Sequence, residues 1–156
     1  MIIRKMEEKD LEAASEICMD SFLLSVASTL SDEGITTFSN IAARDAFLDR
    51  MRGDNLMLVA ENNENVEGVI ELKEGRHVAM LFIRPKSQKS GIGRKLLISA
   101  LNHAKVETVT VSASLSSVTA YENYGFELSG EVAESAGLVY QPMKLKLNKA
   151  MHATSA

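Results

Sequence analysis

"SQKSGIGRKLL", residues 87–97, joins an apolar run closed by Pro85 to a run of leucines. It carries two glycines two apart, three basic residues and no acid. Four readings compete for it. The plainest is a tight strand-to-helix turn whose glycines relieve crowding. A dinucleotide fingerprint, G-x-G-x-x-G, fails because its third position is Leu96 and no acid ends the next strand. A P-loop, G-x-x-x-x-G-K-[ST], is not spelled either. What remains is Q-x-x-G-x-G, written here Gln88-Lys89-Ser90-Gly91-Ile92-Gly93. Glycines there let a backbone approach an anion closely, and N–H groups at a helix start point outward unpaired. The helix dipole adds partial positive charge. Lys86, Lys89, Arg94 and Lys95 surround the turn, although cations at a helix N-terminus cost a few tenths of a kcal/mol each. An anion seated among them resolves that conflict.

Working outward, "HVAMLFIRP" (77–85) reads as a strand stopped by proline. Ile92, Leu96, Leu97, Ala100, Leu101 and Ala104 mark one face of the helix after the loop, and "VETVTVSAS" (106–114) is the next strand. This strand–helix–strand unit predicts one parallel pair with a right-handed crossover. Upstream, residues 2–5 predict a strand, 9–23 a helix capped by Asp10, and 36–52 a second helix ending near Gly53. Residues 56–72 predict a hairpin turning at "NNEN". Downstream come a short helix, "SVTAYENYG", and two strands, "FELSGEVA" and "LVYQPMKLKL", separated by "ESAG" (134–137). The expected fold is α+β: a mixed, mainly antiparallel sheet of about seven strands with helices on it.

The 156 residues, 46% hydrophobic and 24% charged, suit one folded domain, expected over 1–148 with a short polar tail at 149–156. Cys18 is the only cysteine, so no internal disulfide forms, and no apolar run approaches membrane-spanning length. These features predict a cytoplasmic protein that does not engage a membrane. The net charge of −4 is uneven: residues 1–74 carry 7 basic and 16 acidic groups, and 75–106 carry 7 basic and none acidic. A basic block in an acidic chain suits a local anion site. A nucleic-acid surface would want a wider basic face and more than 5% aromatics, so no nucleic-acid partner is expected.

The Q-x-x-G-x-G loop between strand and amphipathic helix is followed, about thirty residues on, by Y-E-x-x-G-F (Tyr121-Glu122-Asn123-Tyr124-Gly125-Phe126). In this order the chain resembles the GNAT acetyltransferases over nearly its whole length. The resemblance implies a three-layer α/β/α acyl-CoA N-acyltransferase fold, splayed between the parallel strands at 77–84 and 108–113. It implies acetyl-CoA as acetyl donor and no metal. Backbone amides of Gln88 to Arg94 would hold the pyrophosphate, so Ser90, Gly91, Ile92 and Gly93 join Gln88 there, with Lys89, Arg94 and Lys95 supplying charge. Leu81, Phe82 and Ile83 would pair with pantetheine, and a backbone N–H near Phe82 would stabilise the oxyanion. Tyr121 matches the general acid. Ser114 stands where relatives often carry Asn to position the cofactor's amide arm.

The base is less defined. Relatives often place an acid on the strand that here reads Ala79-Met80. Glu71, inside "VIEL", is the candidate general base, and its alternating position equally fits a solvent-facing residue. His77 is a second candidate, and a neutral amine or a water relay needs no protein base. The expected function is therefore transfer of acetyl from acetyl-CoA to a primary amine by direct attack in a ternary complex. Its competitors are a non-catalytic acyl-CoA-binding or sensing module and a scaffold with a vestigial loop. The acceptor, a small-molecule, peptide or protein amine, would be shaped by residues 20–55 and 134–137. The acids Asp32, Glu33, Asp45 and Asp49 fit a cationic amine or simply a solvated helix face. Monomer and homodimer both stay open.

Overall fold

The computed structural model describes residues 1–25 and 30–147, so the expected tail at 149–156 lies outside the described residues. Its strands are β1 (Ile2–Lys5), β2 (Asn55–Asn62), β3 (Asn65–Lys73), β4 (His77–Ile83), β5 (Thr108–Ala113), β6 (Glu127–Leu128), β7 (Ala133–Ser135) and β8 (Leu138–Lys146). Its helices are α1 (Leu11–Ser25), α2 (Asp32–Ile41), α3 (Arg44–Met51), α4 (Ile92–Leu101) and α5 (Val118–Asn123). The sheet runs β1-β2-β3-β4-β5-β8-β6, with β7 also paired to β8. Among the described residues only β4 and β5 pair in parallel, as the crossover through α4 requires.

Two apolar clusters lie on the two faces of this sheet. Leu96, Leu97 and Ala100 of α4 pack with Ile70, Leu72 and Val111 on one face. Leu11, Ile17 and Phe22 of α1 pack with Phe47 of α3, Val59 and Val69 on the other. The fold is thus three layers, α/β/α, in which β3 is buried along nearly its whole length because both its faces are covered.

Four details depart from the sequence expectation. The second helix is two: Ala42 turns the chain, and the Arg50 guanidinium donates to the carbonyl of Ile41 (2.9 Å), closing the end of α2. Helix α2 also begins earlier than expected, where the Ser31 hydroxyl accepts from the Gly34 N–H (3.2 Å). The strand expected over "FELSGEVA" breaks into β6 and β7 at Gly130 (φ +100), and both pair with β8. "ESAG" is not a spacer, since Ala136 and Gly137 alone make the turn with φ of +50 and +82. Two consecutive positive φ values are what a tight hairpin with right-handed strand twist demands.

That hairpin turn rests on α2. A Cβ on either Gly34 or Gly137 would meet the other's backbone, so the two segments touch main chain to main chain. The Thr37 hydroxyl donates to the Ala136 carbonyl (2.7 Å), fastening the contact. Gly137→Ala should therefore lower stability by about 1–3 kcal/mol, from left-handed strain plus overpacking. Equilibrium urea unfolding reads the loss, and an unchanged midpoint would refute the contact.

Candidate functional site

The parallel pairing of β4 with β5 covers only His77–Thr110 and Val78–Val111. Beyond it the two strands diverge. A bulge in β4 helps: Glu71 pairs Met80 while Leu72 pairs Val78, leaving Ala79 as an extra residue. Val78 accordingly packs on the α4 face and Met80, two positions later, on the α1 face. Nearby, one His77 ring nitrogen, Nδ1, lies 2.8 Å from the Thr110 hydroxyl, stitching the strands where they still meet. Burial, then Arg76 and Lys73, hold its pKa below the ordinary imidazole value, so His77 is neutral at pH 7.

Past the bulge, alternation decides where the backbone points. The Arg84 N–H bonds the Glu67 carbonyl on the β3 side (2.8 Å). Leu81 and Ile83 therefore turn their N–H and C=O groups the other way, into the gap. The Ile83 carbonyl there accepts from the Ser21 hydroxyl (2.9 Å) and the Gln88 amide (3.2 Å). Gln88 thus ties the loop to the end of β4.

The gap opens into a cavity of about 1250 Å³. One end is the loop, with Gln88, Lys89, Gly91, Ile92, Gly93 and Arg94 on its wall. Ser90 and Lys95 are exposed and off the wall; the Ser90 hydroxyl donates to the Ser87 carbonyl. Among the described residues, the N–H groups of Lys89 to Arg94 find no protein acceptor, whereas the Lys95 N–H bonds the Gly91 carbonyl (3.2 Å). Six consecutive donors are left for an outside acceptor.

The two glycines differ. Gly91 caps α4 with φ +85 and faces open space, so it supplies the turn and the clearance. Gly93 serves packing, since a Cβ there would come within 2.5 Å of the Tyr124 hydroxyl. Arg94 lies over the Tyr124 ring (5.4 Å) and donates to the Asn123 carbonyl (3.0 Å), clamping α4 to α5. Gly93→Ala should cost about 1–3 kcal/mol by overpacking, and Tyr124→Phe in the same chain should restore most of it. Thermal melts of the single and double variants test this; no rescue would show that the hydroxyl is not the obstacle.

Tyr121 is buried on α5, edge-to-face with Tyr124 and Phe126 at centroid distances of 6.0 and 5.3 Å. It lines the cavity, and its hydroxyl has no hydrogen-bond partner among the described residues. Burial, with a smaller push from Tyr124, raises its pKa well above the ordinary phenol value, so it keeps its proton at any physiological pH. Ser114 lines the cavity where β5 ends, its hydroxyl 2.8 Å from that of Ser117.

Glu71 is elsewhere. It is only 1% exposed, so it does not face solvent, and it is absent from the cavity wall. Its carboxylate accepts from Arg50 Nε (3.0 and 3.1 Å) and from the Asn55 amide, on the α3 side of the sheet. Through Arg50 it joins β3, α3 and the end of α2. Glu71→Ala should cost about 1–3 kcal/mol by taking the carboxylate acceptor from the partly buried Arg50 guanidinium and from the Asn55 amide. Urea unfolding checks this, and a loss under about 1 kcal/mol, as for an exposed pair, would contradict it.

A second groove of about 710 Å³ lies between α1 and the β2–β3 turn. Its charges mostly neutralise one another, as Arg4 does with Asp10 (2.8 Å) and Glu61 (3.0 Å), so it offers a ligand little. The far wall of the main cavity comes mostly from the 20–55 segment expected to shape the acceptor, but its character was not foreseen from sequence. It is apolar and aromatic, built by Phe22, Leu30, Phe38, Ile41 and Leu138. Helical spacing had marked Phe22 and Phe38 only as core.

A family model for the GNAT acetyltransferase domain matches residues 26–147. The chain belongs to the GNAT acetyltransferase family. No curated protein matches it. Among solved structures it is similar to a GCN5-related N-acetyltransferase from Rhodopseudomonas palustris (20% identity, 94% of this chain and 95% of that one, TM-score 0.80). It is also similar to PaiA N-acetyltransferase from Thermoplasma acidophilum in complex with coenzyme A (22%, 93% and 98%, 0.74). A third is a spermidine N-acetyltransferase from Vibrio cholerae (18%, 99% and 99%, 0.67). At these identities the likeness speaks for the fold. Among the described residues no helix is long and apolar enough to cross a membrane.

Proposed function

We propose that the protein is an N-acetyltransferase that moves acetyl from acetyl-CoA to a primary amine by direct attack within a ternary complex. The observation that carries this is the run of unpartnered N–H groups from Lys89 to Arg94, at the head of α4 and beside the β4/β5 gap. Those groups suit a pyrophosphate, and Gly91 leaves the clearance it needs. Of the basic residues, Lys89 is on the cavity wall, Arg94 is engaged with α5, and Lys95 is left for peripheral charge. Bound acetyl-CoA supplies the activated acetyl group.

The chain's own residues do the rest. The Leu81 N–H and C=O and the Ile83 N–H are presented to an extended amide-bearing arm, as a strand edge is to an added strand. The backbone N–H groups of this segment are also the donors available to the carbonyl oxygen as it gathers charge. Tyr121 holds a proton for the departing sulfur, and burial keeps it there. Ser114 orders the end of β5 through Ser117. Glu71, locked by Arg50 off the cavity, takes no part in proton removal in this reading.

Two measurements test the proposal. Acetyl-CoA and CoA at a hundredfold over their dissociation constants should stabilise the fold by about 2.7 kcal/mol, and ATP at equal concentration should not. Tyr121→Phe should keep that shift while lowering acetyl transfer by about 10²–10⁴-fold. No shift with any CoA species would sink the proposal; an unchanged rate in the variant would remove Tyr121 from it. The cavity wall carries no carboxylate or imidazole among the described residues, which also suits a non-catalytic acyl-CoA-binding module. One amine acetylated catalytically sets that reading aside.

A further inference from the structure

Resting on the transferase reading above, we propose that the acceptor is an aromatic primary amine that is uncharged at neutral pH, an aniline-type amine whose ring seats on Phe22, Phe38 and Phe82. Three observations converge. The first is the wall itself. Phe22 and Phe38 stack at 4.1 Å with 4° between their planes, and Phe82 meets Phe38 edge-on at 5.4 Å. All three rings line the cavity, and Phe82 lies on the β4 segment that borders the gap. A flat apolar ring extends this cluster with further offset or edge contacts.

The second observation is charge. Among the described residues, the titratable groups facing the cavity are Lys89, Arg94, Tyr121, Tyr124 and Tyr140, with no aspartate, glutamate or histidine. Residues 26–29 and 148–156, V-A-S-T and N-K-A-M-H-A-T-S-A, contain no aspartate or glutamate either. The acids of α2 and α3, Asp32, Glu33, Asp45 and Asp49, are off the wall. A polyamine or a lysine ammonium would enter an aromatic chamber with no carboxylate counter-ion among the described residues, and would leave its hydration behind. It would also need a base, and none faces the cavity among the described residues. An aniline nitrogen needs neither: its lone pair is free at pH 7. Its nitrogen forms the new C–N bond as the C–S bond breaks. It gives up one proton to water, and the sulfur takes one from Tyr121, which water refills.

The third observation concerns hydroxyls. The Ser21 hydroxyl donates to the Ile83 carbonyl and the Thr37 hydroxyl to the Ala136 carbonyl, both within the wall. Both are spent on the protein's own backbone, so neither of these two hydroxyls is left to donate to a sugar or peptide acceptor.

The test uses the full chain with acetyl-CoA and five amines: 4-methylaniline, phenethylamine, spermidine, kanamycin and a lysine peptide. We expect kcat/KM for 4-methylaniline to exceed that for spermidine, kanamycin and the peptide at least about tenfold. Its kcat/KM should stay flat through the neutral range, while that of phenethylamine should rise with pH as its own ammonium deprotonates. Independently of turnover, saturation-transfer NMR with CoA present should show 4-methylaniline bound. Phe38→Leu should weaken that binding several-fold with CoA affinity unchanged, and Leu138→Glu, on the partly exposed rim, should move preference toward the cationic amines. Preference for spermidine or the peptide, with CoA bound, overturns the acceptor assignment and leaves the transferase reading intact. Aniline binding without turnover of any amine supports the ring seat and overturns the transferase reading. Absence of CoA binding overturns both.

Discussion

Everything at the site follows from the pairing that β4 and β5 do not make. A parallel ladder is normally buried and continuous. Here it stops after two residue pairs. The backbone groups beyond the stop carry a cost unless something satisfies them. The chain answers for one of them: Ser21 and Gln88 both donate to the Ile83 carbonyl. The neighbouring groups of Leu81 and the N–H of Ile83 are left facing the cavity. A sheet that stays open in this way needs its other strands held firmly, and the continuous β2–β3–β4 antiparallel run, covered on both faces, provides that.

The same opening explains the loop. Helix α4 must start close to the end of β4 to complete the crossover, and it starts on a glycine with positive φ. Its first amides then point along the gap. On its flank, Gly93 lets α4 settle against Tyr124, and Arg94 grips the end of α5, which carries Tyr121. The loop proposed to bind the anion and the side chain proposed to donate the proton are therefore coupled through one helix–helix contact. Stability and site geometry share residues here, whereas the Glu71–Arg50 pair lies off the cavity wall.

Much of this was legible in the sequence. The Q-x-x-G-x-G loop, its helix and the Y-E-x-x-G-F segment lie in local patterns, and the strands and helices around them formed where periodicity put them. What was not legible depends on contacts distant in sequence. The break between α2 and α3 has no proline or glycine to mark it; it is set by Arg50 reaching the Ile41 carbonyl. Glu71 looked like a half-exposed strand residue because nothing in the sequence says that α3 covers that face. Gly34 and Gly137, over a hundred positions apart, touch only once the hairpin folds onto α2. Ser31, with Asp32 and Glu33 behind it, was a start signal for α2 that the hydrophobic pattern overshadowed. The aromatic wall was likewise hidden, because spacing cannot tell a core phenylalanine from one that borders a cavity.

The unpaired edge of β4 and the amides at the head of α4 are proposed to form one binding surface. Amide hydrogen exchange read residue by residue, with and without CoA, tests it most directly. CoA is expected to slow exchange at Leu81 and Ile83 and from Lys89 to Arg94 together, with the amides of the β1–β2 pair unchanged. Slowing spread evenly over the chain, or confined to residues away from the gap, would contradict it.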